Sequence, residues 1–242
     1  MERAYIIGNG PSRKDIDLTT LQGRTFGCNV LYRDFAPDWL LSGDAGVIKE
    51  ICKSKYPEEH WCIFPDWDPI PVEYKDIIVE PFITDEFSIH SSEDTEYSHI
   101  QLFGHLEDKD KNLHIIGVDP KWRIINMRGT EEDPEFSVNF FAGSNALAQA
   151  SIMGFDEIVL LGFDSVWNFI EDTYQNIYAG TDNYMREKET PRLGGGTDDP
   201  NSMMGSQEAQ IKKVLDIFQN IGYYIDRGDN NLLPLTYDSF IQ

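Results

Sequence analysis

The chain has 242 residues, 40% hydrophobic and 12% aromatic, which suits a soluble globular protein and is long enough for one large domain or a domain with an insertion. Its 42 acidic against 20 basic residues give a formal charge of −22, which argues against nucleic acid and anionic membranes as partners. No apolar run reaches the roughly 18 residues of a membrane-spanning helix.

Met1, Glu2 and Arg3 lead straight into the first predicted strand, so no signal peptide is expected. Cys28, Cys52 and Cys62 have no C-x-x-C spacing and read as reduced thiols of a cytoplasmic protein, without a structural zinc site.

Residues 4–7 form an apolar run suited to a strand buried on both faces, and it breaks into Gly8, Asn9, Gly10, Pro11 and Ser12. Two glycines let a turn tighten and approach a ligand, Ser12 is placed to cap the next turn, and exposed N–H groups there would suit an anionic group. The pattern is neither the dinucleotide fingerprint nor a P-loop. A short helical or turn segment is expected around Asp15 to Leu21. A second strand is expected over residues 24–30, with Asn29 at its carboxyl end.

A third strand is expected over residues 39–43, ending at Asp44, and a helix over residues 45–54, where Val47, Ile48 and Ile51 recur at helical spacing. In an open parallel sheet the carboxyl ends of strands line the ligand crevice, so Gly8, Asn9, Gly10, Asn29 and Asp44 are expected at one edge. Capping the following helix and serving as a catalytic group are both open to Asp44.

A fourth strand is expected over residues 61–64, followed by Asp66 and Asp68, a pair of hard carboxylates that would suit Mg²⁺ or Mn²⁺. With 42 acidic residues such pairs also arise by chance, as at Asp108 and Asp110. Residues 80–140 read as a less regular insertion, with strands predicted at 114–118 and 123–127. The histidines there, His90, His99, His105 and His114, show no metal-ligand spacing.

Residues 141–155 predict an Ala-rich helix that starts at Gly143, Ser144 and Asn145 and stops at Gly154. The clearest buried parallel strand follows at 156–164, with Asp164 at its carboxyl end, where capping the next turn is its first reading. Residues 165–205 carry Tyr174, Tyr178, Tyr184 and three consecutive glycines from Gly194, and predict a lid. A last helix over residues 206–221 and a strand over 222–225 complete the domain. Asn230 and Asn231 are placed to reach back to the crevice.

The ordered set Gly8-Asn9-Gly10-Pro11-Ser12, Asp15-Ile16-Asp17, Cys28-Asn29, Gly143 with Gly154, Glu157-Ile158, Gly162 with Asp164, and Asn231-Leu232-Leu233 resembles the bacterial family 42 sialyltransferases. It also resembles a wider group that includes archaeal hydroxymethylpterin diphosphokinases. The resemblance covers the first 45 residues and residues 141–165 well, the last 40 loosely, and the middle hardly at all.

It implies an α/β fold: a single Rossmann-like, mostly parallel sheet flanked by helices, binding a nucleotide sugar. It implies a glycosyltransferase that takes a CMP- or NDP-linked donor to an unspecified acceptor. The family needs no metal cofactor, while Mg²⁺ or Mn²⁺ stays an open alternative, as does an oligomeric state. Asn9 and Asn29 would contact the donor's phosphate or cytidine, the Gly143-Ser144 turn would add donors, and Tyr174 and Tyr178 would stabilise the departing phosphate.

This chain departs from the family at its general base, a histidine before the last helix, where Met204-Gly205-Ser206-Gln207 stands instead. Asp44 and Asp164 are the candidate substitutes. Two further readings remain: a diphosphokinase-type phosphotransferase holding Mg²⁺ on ATP through Asp44 or Asp164, and a nucleotide-binding module without catalysis.

Overall fold

The computed structural model describes residues 1–64, 67–69, 99–103, 114–117, 122–134, 136, 137, 140–164, 167, 168, 173–184, 200–228 and 231–236. In chain order its elements are β1 (Arg3–Ile7), β2 (Arg24–Cys28), β3 (Trp39–Leu41), α1 (Ala45–Lys53), β4 (Trp61–Phe64), β5 (Trp67–Pro69), β6 (His99–Phe103), β7 (His114–Gly117) and β8 (Ile124–Asn126). They continue with α2 (Ala142–Met153), β9 (Glu157–Leu161), β10 (Trp167–Asn168), β11 (Thr173–Tyr174), α3 (Pro200–Ile217), β12 (Gly222–Asp226) and β13 (Leu233–Pro234). Where the sequence predicts a single domain, the contacts divide the chain into two units, Met1–Leu41 with Arg128–Gln242, and Ser42–Met127.

In the first unit the strand order is β13-β12-β9-β1-β2-β3. The pairs β12 with β9, β9 with β1, β1 with β2 and β2 with β3 are parallel, and only β13 runs antiparallel, against β12. The α/β, mostly parallel expectation therefore holds. Ala4, Ile6, Ile7 and Ile158 to Leu161 are at most 1% exposed, as apolar runs in central parallel strands should be. Burying each Ile or Leu of this kind contributes about 1.5–3 kcal/mol.

Helix α2 packs across β1, β2, β3 and β9 and against α3. Its small residues allow that close approach, and Gly154, at φ 83°, takes the left-handed conformation that ends it. Phe26 stacks on Trp39 at 4.7 Å, with Phe155 edge-on to Phe26 at 5.8 Å.

Helix α2 is not simply apolar on its packed side. Ser144, Asn145, Gln149 and Ser151 are all buried. Gln149 pairs with Arg128 as a neighbouring strand would, its Oε1 accepting from the backbone N–H at 3.0 Å and its Nε2 donating to the carbonyl at 2.8 Å. Asn145 donates to the Ser137 carbonyl at 2.6 Å. These amides satisfy backbone groups of a segment that has no ladder of its own.

The second unit contains the parallel pair β4 with β8 and an antiparallel sheet in the order β5-β6-β7. Helix α1 buries Val47, Ile48 and Ile51, the face its periodicity predicts. Strands β7 and β8 fall inside the predicted runs, while β5 and β6 answer to no predicted strand. Asp68 lies in β5, and Asp66 lies outside the described residues.

Helix α3 begins at Pro200 and ends at Ile217, six residues earlier at its start than the expected 206. Proline fits the first turn of a helix, where its missing N–H leaves nothing unpaired. Met204, Gly205, Ser206 and Gln207 are thus inside a helix, not ahead of one. All three cysteines are free and buried. No helix among the described residues is long and apolar enough to cross a membrane.

Candidate functional site

The register that sets Ile7 beside both Gly27 and Leu161 brings the carboxyl ends of β1, β2 and β9 to one edge of the first unit's sheet. A cavity of about 190 Å³ opens there. Gly8, Asn9 and Gly10 form one wall, Cys28 and Asn29 another, and Phe141, Ala142 and Gly143 bring in the start of α2. Gly162, Phe163 and Asp164 after β9, then Tyr174, Gln175, Asn176 and Gln207, complete the lining.

Of the site residues predicted from sequence, Gly8, Asn9, Gly10, Asn29, Gly143, Tyr174 and Asp164 line this cavity. Ser12, Ser144 and Tyr178 stand behind it. Asp44 lies in the second unit, where its Oδ1 accepts from the Val47 N–H at 3.0 Å and caps α1. Asn231 is exposed and not part of the lining, and Asn230 falls outside the described residues.

The first loop does not present the free N–H groups its glycines suggest. Gly8 N donates to the Leu161 carbonyl at 2.8 Å, Gly10 N to the Gly162 carbonyl at 2.9 Å, and Ser12 N to Asp164 Oδ2 at 3.0 Å. The Ser12 hydroxyl donates to the same carboxylate oxygen at 2.8 Å. Backbone and carboxylate from the end of β9 thus occupy the N–H donors of Gly8, Gly10 and Ser12. The glycines serve this crossing: a Cβ on Gly8 would stand 2.6 Å from the Gly162 carbonyl oxygen, and Gly162 itself holds a φ of 66°.

Asn9 is also committed inward. Its Nδ2 donates to the Cys28 carbonyl at 3.3 Å and to the Tyr184 hydroxyl at 3.2 Å, while its Oδ1 accepts from Arg13 at 3.5 Å. Asn29 differs. It takes a left-handed conformation at φ 55°, and its Oδ1 is buried with no partner among the described residues. A buried acceptor left unmet is costly unless a ligand or water completes it.

The amino end of α2 has the same character. Phe141 at its N-cap offers no capping side chain, and the Ser144 Oγ in the first turn is fully buried without a partner among the described residues. The Phe141 N–H is held by Gln210 Oε1 at 2.9 Å. The helix dipole therefore presents uncapped N–H groups beside Ala142 and Gly143 of the lining.

The predicted lid of residues 165–205 is described in part. Strands β10 and β11 pair antiparallel, and the turn after them is fastened to the first loop and the segment after β2. Ile177 N donates to the Asn9 carbonyl at 2.9 Å, and the Tyr178 hydroxyl donates to Asp34 Oδ2 at 2.6 Å. Arg33 donates to Thr181 Oγ1 at 2.8 Å. Burial, with the bond to Asp34, pushes the Tyr178 phenol up to about 12, and burial likewise raises Tyr174 and Tyr184. These phenols are neutral donors and acceptors at ordinary pH. Residues 185–199, including the three glycines from Gly194, lie outside the described residues.

The sequence does not single out Cys28, Phe141, Ala142, Gly162, Phe163, Gln175 and Asn176 as lining, or Arg13 as a buried partner of the first loop. Gln207 stands out in the sequence only because the resembled family has its histidine in that region. Cys28 and Phe163 adjoin positions already singled out, so proximity to a strand end was the available signal. Among the described residues no three His, Cys, Asp or Glu side chains converge as a metal-holding group. Comparison with family models, with curated proteins and with solved structures returns no match for this chain.

Proposed function

We propose that this cavity binds a nucleotide and that the chain is a sialyltransferase-like glycosyltransferase, moving a sugar from a CMP- or NDP-linked donor within a Rossmann-like frame. The observation that carries the reading is the gathering of Gly8, Asn9, Gly10, Asn29 and Gly143 around one cavity at the carboxyl ends of parallel strands. Side-chain amides suit base edges and ribose hydroxyls. The uncapped start of α2 suits a phosphate.

Gln207 cannot take a proton from an acceptor hydroxyl, which leaves Asp164, among the described residues, as the carboxylate in the lining for that work. The part of the lid that follows β11 would then cover the donor, with Tyr174 facing its phosphate. A second reading, a nucleotide-binding module without catalysis, is favoured by one observation. Asp44 and Asp164 both spend an oxygen on backbone N–H groups.

The test is a thermal-shift screen of CMP, UDP, GDP and ATP with and without Mg²⁺. A ligand present at about a hundred times its Kd stabilises the fold by about 2.7 kcal/mol. One nucleotide should raise Tm, and its sugar conjugate should then be hydrolysed slowly without acceptor. Binding without hydrolysis selects the module reading, and Mg²⁺-dependent ATP consumption the phosphotransferase. No shift with any of the four would overturn the nucleotide assignment.

A further inference from the structure

Arg13 is the one buried cation among the described residues, at 5% exposed. It stands outside the cavity but touches three residues that form it. Its Nε donates to the Gly8 carbonyl at 2.5 Å and a terminal nitrogen donates to Asn9 Oδ1 at 3.5 Å. Its aliphatic stem lies 3.0 Å from where a Cβ on Gly162 would be.

The same terminal nitrogen donates to the Tyr178 hydroxyl at 3.1 Å, and the guanidinium lies 5.8 Å from that ring's centre. Arg13 forms no ion pair with a described residue. Asp34 is reached only through the Tyr178 hydroxyl.

A guanidinium in this position has lost most of its water without gaining a direct carboxylate from a described residue, an arrangement that is costly unless opposite charge arrives from elsewhere. The cavity has the opposite need. Among the described residues its lining includes Asp164 and no Lys, Arg or His, in a chain of net charge −22. The N–H groups of Gly8, Gly10 and Ser12 are already spent. An anion entering the cavity would meet the Asp164 carboxylate, with favourable charge from the start of α2 and from Arg13.

We propose that Arg13 is the cavity's counter-charge, holding the anionic group of the ligand by its field across the first loop, without contact. The inference rests on the nucleotide reading above and assigns the phosphate's charge balance to a residue behind the site. The field already reaches the lining: burial holds the Cys28 thiol up at about 12, and Arg13 pulls in the other direction. A unit charge roughly 7 Å away, at an effective dielectric constant of about 20, changes binding by about tenfold or more.

The experiment compares the nucleotide selected by the screen with its parent nucleoside, by calorimetry, in wild type, Arg13→Met, Arg13→Lys and Tyr178→Phe. Arg13→Met is expected to lose about tenfold or more in nucleotide affinity while nucleoside affinity changes by less than about twofold. Arg13→Lys and Tyr178→Phe keep the charge and should keep the wild-type preference for nucleotide over nucleoside. Equal losses for both ligands in Arg13→Met would mean a purely structural role and overturn the proposal. Should Arg13→Met fail to fold, a lost preference in Arg13→Lys overturns it and a kept one supports it. Wild type binding both ligands equally refutes the counter-charge alone, whereas binding neither refutes the nucleotide reading itself.

Discussion

Asp164 closes the first loop, its Oδ2 accepting from the backbone N–H of Ser12 at 3.0 Å and from the hydroxyl of the same residue at 2.8 Å. The contact spans 152 positions of the chain. It ties the turn after β1 to the turn after β9, the two walls of the cavity.

Asp164→Ala leaves the Ser12 N–H without its acceptor and should cost about 1–3 kcal/mol. Asp164→Asn keeps an acceptor oxygen and should melt close to wild type. If Asp164 is the general base, the Asn variant will nonetheless lose about a hundredfold or more in turnover. Asp44 separates differently. As the N-cap of α1 it should tolerate Asn almost freely, since Asn caps about as well as Asp, and lose about 1 kcal/mol as Ala. Unfolding in denaturant, paired with turnover of the screened donor, distinguishes capping from chemistry at both positions.

Asn29 combines a left-handed backbone with an unmet acceptor, so the two must be tested apart. Asn29→Gly keeps the conformation and removes the side chain. Nucleotide affinity should fall by roughly ten- to a hundredfold, the worth of a hydrogen bond to a charged or strongly polar group. Asn29→Ala should lose as much affinity and also some stability, because alanine resists a positive φ. Unchanged calorimetric affinity in Asn29→Gly would remove Asn29 from the site.

Gln149 should matter to stability as much as any apolar residue of α2. Gln149→Ala abandons both polar groups of Arg128 and the Ser137 hydroxyl, at about 1–3 kcal/mol, and Gln149→Leu should be no better despite filling the space. Chemical denaturation midpoints measure this directly. A leucine variant as stable as wild type would mean that Arg128 finds water instead.

Stability should decline early on the alkaline side. The Cys28 thiol is raised from 9.0 to about 12 by burial, and Tyr223 from 10.0 to about 12 by burial, as is Tyr178. A group held neutral in the fold but free to ionise in the unfolded chain contributes stability that is whole below its unfolded value and lost as pH rises toward its folded one. Tm should therefore begin to fall near pH 9, with the thiol, and fall more steeply above pH 10, with the phenols. A Tm level through pH 11 would count against this (the range follows from the same two shifts).

Strands β1, β2, β4 and β9 were legible because each is an apolar run closed by glycine, asparagine or proline, and α2 because alanines run up to Gly154. The start of α3 was not legible, since residues 200–206 set Met203 and Met204 among proline, asparagine, glycine and serines and carry no helical period. Strand β5 escaped because it is three residues long and ends in proline, and β6 because its short alternation of Ile100 and Leu102 with His99 and Gln101 stands alone in a polar stretch. In the site, residues at strand ends were readable from position alone. Arg13 was not, because an arginine in a polar turn reads as solvated, and only the crossing of two distant turns buries it. Nor could the sequence say that Asp164 would occupy the loop's donors, which depends on the register of β1 against β9.

The interlocked turns after β1 and β9 divide the cavity into a fixed half and a variable half. Where Gly8 meets the Gly162 carbonyl there is no room for even a methyl group, so that wall accepts almost no substitution and offers selection little to work with. Gln175 and Gln207 come from later parts of the chain and meet no such wall, whereas Asn176 holds the Tyr174 hydroxyl and the Tyr178 N–H. An engineer wishing to move this pocket from one ligand to another should leave the glycine wall and Asn176 untouched and randomise Gln175 and Gln207.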